Sequence, residues 1–159
     1  MVMHRTFSLE EAQTMLPQLR AMLMLAKDEL AEHERKLAST SKNYERSTQA
    51  MASVRPLRPD VGGVSELRAQ RTKFEHAIED FSLAQQEYID CLNDWIERIS
   101  AQGVILRDIH SGLLDFPACE GDFNYFLCWC LAEDEIGYWH PINDGFIGRR
   151  RLAVLSEYV

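Results

Sequence analysis

One carboxylate stands in the middle of an apolar stretch, and it is the residue of this sequence best placed for chemistry. Asp115 lies between a leucine and a phenylalanine in a run that predicts a β-strand. Burying a carboxylate without a partner is costly, so Asp115 needs a partner or a raised pKa. Two interpretations stay open. Asp115 ties down the turn before Pro117 or pairs with Arg107 or Arg149, or it belongs to a binding or catalytic site.

A histidine ends another predicted strand and could work with such a carboxylate. His140 follows Glu133 and Glu135, and imidazole with carboxylates at strand ends can bind a divalent metal or form an acid–base pair. Because side chains alternate along a strand, Glu135 and His140 should point to opposite faces. Asp115 or Asp108 from a neighbouring strand is therefore the expected partner, unless the histidine is only structural.

Two further patterns predict chemistry less strongly. Cys128 and Cys130 share one strand face, as two thiolate ligands would, but no CxxC or zinc-finger spacing accompanies them. Gly145, Gly148 and Arg149–Arg151 could hold an anion, or they could be turn glycines and surface arginines. The sequence has no Gly-rich phosphate loop, no GxSxG and no HExxH motif.

The candidate site therefore lies on a sheet and consists of polar and aromatic residues in strands and turns. Its members are Asp108, Asp115, Trp129, Glu133, Glu135, Trp139, His140 and Arg149. His140 and Asp115 are the candidate metal ligands, but the sequence assigns no cofactor and gives no residue a catalytic role.

Two long helices are predicted before the sheet. Ser8 and Glu11 form a capping box, and the apolar residues behind them recur at helical spacing, which predicts a helix over about 9–50. Pro17 should kink this helix or start a second segment.

A loop rich in proline and glycine, at 53–64, separates the two helices. Ser65 is expected to cap the second helix, and Gly103 to end it. The apolar stripe of the second helix is Leu67, Phe74, Ile78, Phe81, Tyr88, Leu92, Trp95 and Ile99. Two helices joined by one loop predict an antiparallel hairpin over about 8–102.

From about residue 104 to residue 151, apolar residues recur at every second position instead of at helical spacing. This predicts short strands at Val104–Ile109, Leu113–Pro117, Phe123–Leu131 and Glu135–His140. The fold class is therefore α+β, a long antiparallel helical hairpin followed by a small antiparallel β-meander, in a single domain over 1–159.

The strand predicted at Phe123–Leu131 is apolar on both faces, so both must be covered. The hairpin can cover one face, and a second chain or the C-terminal segment must cover the other. Helices of about 35–40 residues would be roughly 50–60 Å long, whereas a short strand spans about 17–20 Å. The helices would therefore extend beyond the sheet and leave apolar surface uncovered. Two hairpins paired as a four-helix bundle would bury that surface, which predicts a homodimer.

The order of several short motifs resembles a bacterial family catalogued as domain of unknown function 2203 (DUF2203). The N-terminal motifs are Phe7–Ala12 and Leu16-Pro17; the others are Asp108, Gly112-Leu113, Asp115–Pro117, Leu127–Trp129, Glu133 with Glu135, Trp139-His140, Gly145-Phe146 and Gly148-Arg149. The resemblance implies a cytosolic bacterial protein with no established activity.

Composition narrows the class of partner. The 159 residues carry a formal charge of −8, which argues against binding to nucleic acid and to anionic membranes. No apolar run is long enough to span a bilayer, and no signal peptide is expected. The four cysteines have apolar surroundings typical of reduced thiols, which predicts a cytoplasmic protein.

Three hypotheses of function follow. The first is a non-enzymatic, dimeric binding or assembly module with a small polar site on the sheet. The second is a small metal-dependent or acid–base enzyme that uses Asp115 and His140 with a nearby glutamate. The third is an adaptor whose hairpin grips another helical protein.

Overall fold

The computed structural model describes residues 5–53 and 61–159, and it has the predicted α+β architecture. Helix α1 spans Leu9–Ala52 and helix α2 spans Val61–Ser100. The strands are β1 (Ile105–Asp108), β2 (Leu113–Glu120), β3 (Phe123–Trp129), β4 (Tyr138–Pro141) and β5 (Arg150–Arg151). Short 3-10 helices occupy Phe146–Gly148 and Leu152–Glu157. Most of the loop predicted at 53–64 lies outside the described residues.

The capping box starts α1 as the sequence predicts. The Ser8 amide donates to Glu11 Oε2 at 2.8 Å, and the Glu11 amide donates to Ser8 Oγ at 3.1 Å. Two amides at the helix end are thereby satisfied. The helix continues through Pro17 as one element, so no second segment starts there.

Two predictions about α2 are wrong. The helix begins at Val61, so Ser65 lies inside it and is not its N-cap. Glycine lowers helix stability by only about 1 kcal/mol, so the glycine pair at 62–63 does not exclude a helix. The predicted stripe also misplaces Leu67 and Ile78, which are exposed, whereas Ala77 and Ala84 are buried.

The sheet is an antiparallel meander in the order β1-β2-β3-β4-β5. Strand β4 begins at Tyr138, not at Glu135, because the segment before it forms an irregular turn. In that turn Glu133 accepts a hydrogen bond from the Cys130 amide at 3.0 Å. The chain reverses there without pairing to β3.

The described residues form two compact units, and the prediction of a single domain stays a prediction. The sheet unit comprises residues 5–28 and 93–159. Its core packs the ends of both helices against the inner face of the sheet. The buried core residues are Phe7, Ala12, Leu16, Leu19, Leu23, Ile99, Val104, Leu114, Phe116, Ala118, Tyr125, Leu127, Trp129, Ile136 and Trp139.

The helical unit comprises residues 29–53 and 61–92, where α1 and α2 pair. Tyr44 stacks on Phe74 and Phe81, with ring centroids 6.0 and 5.6 Å apart, and Lys36 pairs with Glu87. Rising residue numbers in α1 meet falling numbers in α2, so the helices are antiparallel. Among the described residues of this unit, the fully buried apolar ones are Leu30, Ala77 and Ala84.

Two general properties follow from the described residues. No described helix combines the length and the apolar character needed to cross a membrane. All four cysteines are free of disulfides, and Cys128 alone among them is fully buried.

Candidate functional site

The register of the sheet assembles a polar cluster on its outer face, which is the face directed away from the core. Asp115 in β2 pairs with Cys128 in β3, and Cys128 pairs with Tyr138 in β4. His140 lies two residues further along β4, on the same face as Tyr138. Asp115, Cys128 and His140 are therefore neighbours because three strands align, although they are far apart in the sequence.

Asp115 is buried and has a charged partner for each oxygen. Arg107 Nε donates to Oδ2 at 2.7 Å, and His140 Nε2 lies 3.1 Å from Oδ1. The Cys128 sulfur lies within 4.8 Å of this carboxylate. Burial alone would raise the pKa of Asp115, but the hydrogen bonds from His140 and Arg107 outweigh it and hold the pKa below its usual value.

Both ring nitrogens of His140 face acceptors. Nε2 faces Asp115 Oδ1, and Nδ1 lies 2.9 Å from the Pro141 carbonyl oxygen. A carbonyl oxygen and a carboxylate can only accept, so both nitrogens must carry protons, as in an imidazolium. Burial would lower the pKa of His140, but the bonds to Asp115 and Pro141 outweigh it and raise the pKa. The pair is thus a buried aspartate–imidazolium ion pair.

This ion pair predicts how stability depends on pH. The contribution of His140 is complete below its unfolded pKa of about 6.5 and is lost as the pH rises through its raised folded pKa. The contribution of Asp115 is complete above about pH 4 and is lost as the pH falls through its lowered folded pKa. Both contributions are present between about pH 4 and 6.5.

Urea denaturation at a series of pH values tests this expectation. The unfolding free energy of wild type minus that of His140→Gln should shrink as the pH rises above neutrality. The control is His76→Gln, which removes an exposed histidine of α2 and should keep a constant difference. Parallel pH profiles for wild type and His140→Gln would contradict the ion pair.

Cys128 completes the cluster as a protonated thiol. Burial is the main cause, with the Asp115 charge adding to it, and together they raise the pKa of Cys128 to about 12. The ligand atoms of Asp115, Cys128 and His140 all lie within 4.8 Å of one another. One carboxylate oxygen, one sulfur and one imidazole nitrogen therefore converge, which is a donor set that a transition metal could use.

A cavity of about 400 Å³ opens onto this cluster. The buried Asp115 and Cys128 form its floor, Arg107 lines it closer to solvent, and the segment that follows β4 forms its wall. The wall residues are Ile142, Asn143, Asp144, Gly145 and Phe146. The Arg107 side chain is 43% exposed, whereas that of Asp115 is 3% exposed. The cavity thus offers an accessible cation above a buried carboxylate.

Arg149 fastens the C-terminal segment over the outer face. Its Nη2 lies 2.7 Å from both carboxylate oxygens of Glu133 and 3.3 Å from the Cys128 carbonyl oxygen. The guanidinium lies over the rings of Tyr138 and Phe146, at 4.2 and 4.9 Å from their centroids. Its buried Nε has no hydrogen-bond partner among the described residues. The C-terminal segment, one of the two predicted covers, thus covers part of this face, and a second chain stays a prediction.

The structure separates the predicted site residues into three places. Asp115, His140 and Arg149 lie on the outer face, and Glu133 is joined to them through Arg149. Trp129 and Trp139 lie on the inner face in the core. Asp108 holds the turn at Ser111, accepting from its amide at 2.9 Å, and Glu135 is exposed in the loop before β4.

Sequence reasoning did not place Cys128 beside Asp115 and His140. Cys128 was grouped with Cys130 because both occupy one predicted strand face, but β3 ends at Trp129. The missing information was the register of β2 against β3, which puts Asp115 opposite Cys128. That the outer-face cluster binds a ligand stays a prediction.

Comparisons with known proteins identify the family of this chain. The family model described as an uncharacterized conserved protein (DUF2203) matches residues 5–152. No curated protein matches the chain, and no solved structure matches it.

Proposed function

The chain belongs to the DUF2203 family of uncharacterized conserved proteins, and we propose that it is a dimeric binding module with an anion site on its sheet. The ligand is a small molecule that bears a carboxylate or a phosphate. The observation that carries this proposal is a cavity lined by the half-exposed Arg107 together with its buried partner Asp115.

The charges around the cavity favour an anion. Arg107 and the His140 imidazolium contribute two positive charges against the one negative charge of Asp115. Asp144 at the wall lies 3.7 Å from Arg150, which balances its charge. Arg107 is therefore the cationic group that an anion entering the cavity would meet, although the whole chain is acidic.

The guanidinium of Arg107 has donors left for a ligand. Its ion pair with Asp115 engages Nε, and no hydrogen bond engages its two Nη groups among the described residues. Arginine binds carboxylate and phosphate through such paired N–H groups. A cavity of about 400 Å³ is within the size range of small-molecule sites.

The buried ion pair is costly to maintain, which supports a functional role. A buried pair stabilises a fold little, because desolvation of the charges offsets their attraction. The pair does, however, fix the position of Arg107 through Oδ2 of Asp115. We propose that holding this guanidinium in one orientation is what the buried pair contributes to binding.

Calorimetric titration with inorganic phosphate and with small mono- and dicarboxylates, in metal-free buffer, tests the site. Arg107→Gln should bind at least about tenfold more weakly than wild type, since charge-assisted hydrogen bonds are lost. Arg107→Lys should fall between them. The matched control is Arg151→Gln, which removes an exposed arginine of β5 and should bind like wild type. Equal affinity for Arg107→Gln and wild type would sink the proposal, as would no binding by wild type.

The dimeric part of the proposal is supported by the helical unit. Two paired helices with so few fully buried apolar residues make a thin core. Helix α2 also carries Leu67, Ile78 and Ile89 in exposed positions, each 11 residues from the next. Eleven residues are three turns plus roughly 20°, so these side chains follow one face of the helix.

A second copy of the chain fits this stripe in an antiparallel arrangement centred on Ile78. Leu67 of one copy then meets Ile89 of the other, and the Ile78 side chains meet at the two-fold axis. The stripe is thus complementary to itself.

Sedimentation velocity at micromolar concentration tests the dimer. Wild type should sediment as a dimer, and Ile78→Glu as a monomer, because it places two carboxylates at the two-fold axis. The control is Leu83→Glu, which changes a more exposed apolar residue about 140° away on the same helix. A monomeric wild type would contradict this pairing. So would a Leu83→Glu variant that is monomeric while Ile78→Glu stays dimeric.

A further inference from the structure

We infer that Asp115, Cys128 and His140 form a binding site for one divalent transition metal ion, with zinc as the best fit. This inference goes beyond the proposed anion site, because it concerns the buried floor of the cavity and not the exposed guanidinium above it. Its ligands are Asp115 Oδ1, Cys128 Sγ and His140 Nε2.

The distances between these atoms are close to those of a metal site. In tetrahedral zinc sites the oxygen and nitrogen ligands lie about 2.0 Å from the metal, which places them about 3.3 Å from each other. Asp115 Oδ1 and His140 Nε2 are 3.1 Å apart, and all three ligand atoms lie within 4.8 Å of one another. With sulfur about 2.3 Å from a tetrahedral ion, the thiolate should lie about 3.5 Å from the other two ligands. The Cys128 side chain therefore has to move by up to roughly 1 Å to admit the ion.

Two of the three ligands already have the outer partners that metal ligands usually have. His140 Nδ1 is 2.9 Å from the Pro141 carbonyl oxygen, which leaves Nε2 for the metal. Arg107 holds Asp115 Oδ2 at 2.7 Å, which leaves Oδ1. Such outer hydrogen bonds orient the ligands of metal sites and raise their affinity. The cluster therefore has the outer hydrogen bonds of a metal site around three ligand atoms that lie close together.

The donor set selects the kind of metal. Thiolate and imidazole favour zinc, cobalt or copper over magnesium and calcium, which prefer oxygen ligands. Binding exchanges protons for metal, because the ion displaces the thiol proton of Cys128 and the Nε2 proton of His140. The two positive charges of the ion then balance the Asp115 carboxylate and the Cys128 thiolate. A neutral metal complex thereby replaces the buried aspartate–imidazolium pair, whose separate charges are costly to desolvate.

The fourth coordination position is directed to the cavity. Asp115 and Cys128 both line it, so a water molecule or an anion can reach the ion from that side. Three protein ligands with one open position are typical of exchangeable zinc sites, whereas structural sites have four protein ligands. Arg107 lies at the same opening, so an anion on the metal would also meet its guanidinium.

Titration of the metal-stripped full chain with Co²⁺, followed by competition with Zn²⁺, tests the site. Wild type should develop the thiolate-to-cobalt charge-transfer band and the strong visible bands of a tetrahedral site. Cys128→Ser should lose the charge-transfer band, and His140→Gln should bind at least about tenfold more weakly. The matched control is Cys130→Ser, whose thiol lies outside the cluster, and which should keep both bands.

X-ray absorption of the zinc-loaded wild type supplies a measurement that does not depend on how the variants fold. It should give one sulfur at about 2.3 Å and two or three nitrogen or oxygen ligands at about 2.0–2.2 Å. A shell without sulfur, loss of the band in Cys130→Ser, or no binding by wild type would overturn the inference. The anion titration in metal-free buffer is read separately, so either proposal can fail alone.

Discussion

Asp115→Ala is expected to lower the free energy of unfolding by about 3–5 kcal/mol, because it leaves a buried positive charge without its partner. His140 is 1% exposed and meets Asp115 through Nε2 at 3.1 Å. Removing the carboxylate also leaves Arg107 Nε without its acceptor. Urea denaturation at pH 6 measures the loss.

Two variants show whether the ion pair is the cause. Asp122→Ala changes an exposed turn aspartate and should alter stability by less than about 0.5 kcal/mol. In Asp115→Ala the imidazole should titrate at a lower pH than in wild type, since the carboxylate that raises its pKa is gone. A loss under 1 kcal/mol for Asp115→Ala, on the scale of a surface change, would mean that no such buried pair forms.

Trp129→Ala is expected to lower the free energy of unfolding by about 3–5 kcal/mol, as large-to-small changes in a packed core do. Trp129 is fully buried, and its Nε1 donates to the Glu133 carbonyl oxygen at 2.9 Å. Arg20 of α1 lies over the ring, 5.2 Å from its centroid, and donates to that same carbonyl oxygen. The residue therefore joins helix, sheet and turn.

Trp129→Phe provides the matched comparison. It keeps an aromatic ring in the core, so it should cost clearly less than Trp129→Ala, as measured by the midpoint of urea unfolding. Both variants should bind the anion with wild-type affinity where they are folded, because Trp129 lies on the inner face. Reduced anion binding by folded Trp129→Phe would show instead that the ring acts at the site, as the sequence had suggested.

Local patterns were enough to predict most of the fold. The Ser8 capping box and the helical spacing of apolar residues identify α1, and the change of period after Gly103 identifies the sheet. Gly103 itself has φ of +88°, the left-handed conformation expected where the chain leaves a helix. These signals act over a few residues, so the sequence carries them directly.

Failures arose where tertiary packing decides between similar patterns. The stripe of α2 was assigned to large residues such as Ile78, but close helix pairing buries the small Ala77 and Ala84 instead. An isoleucine and an alanine next to each other are both apolar, and only the partner helix determines which of them is buried. The start of β4 was misplaced for a similar reason, because Glu133 is drawn into a turn by Arg149.

The candidate site also contains some residues that local sequence patterns identify and others that only the tertiary structure brings in. Asp115 could be singled out because a carboxylate in an apolar strand needs a partner, and His140 because it ends a neighbouring strand. Cys128 could not be added without the register that places it opposite Asp115. The cavity wall could not be predicted at all, since it depends on Arg149 reaching back to Glu133.

Mapping of backbone amide shifts by NMR, as phosphate or a dicarboxylate is added to the wild-type chain, tests the central claim most directly. The anion should shift the amides of Arg107, Asp115 and Cys128 and those of residues 142–146, which enclose the cavity. Amides of the helical unit should not move. Shifts scattered over surface lysines and arginines, or none at millimolar anion, would contradict a binding site on the outer face of this sheet.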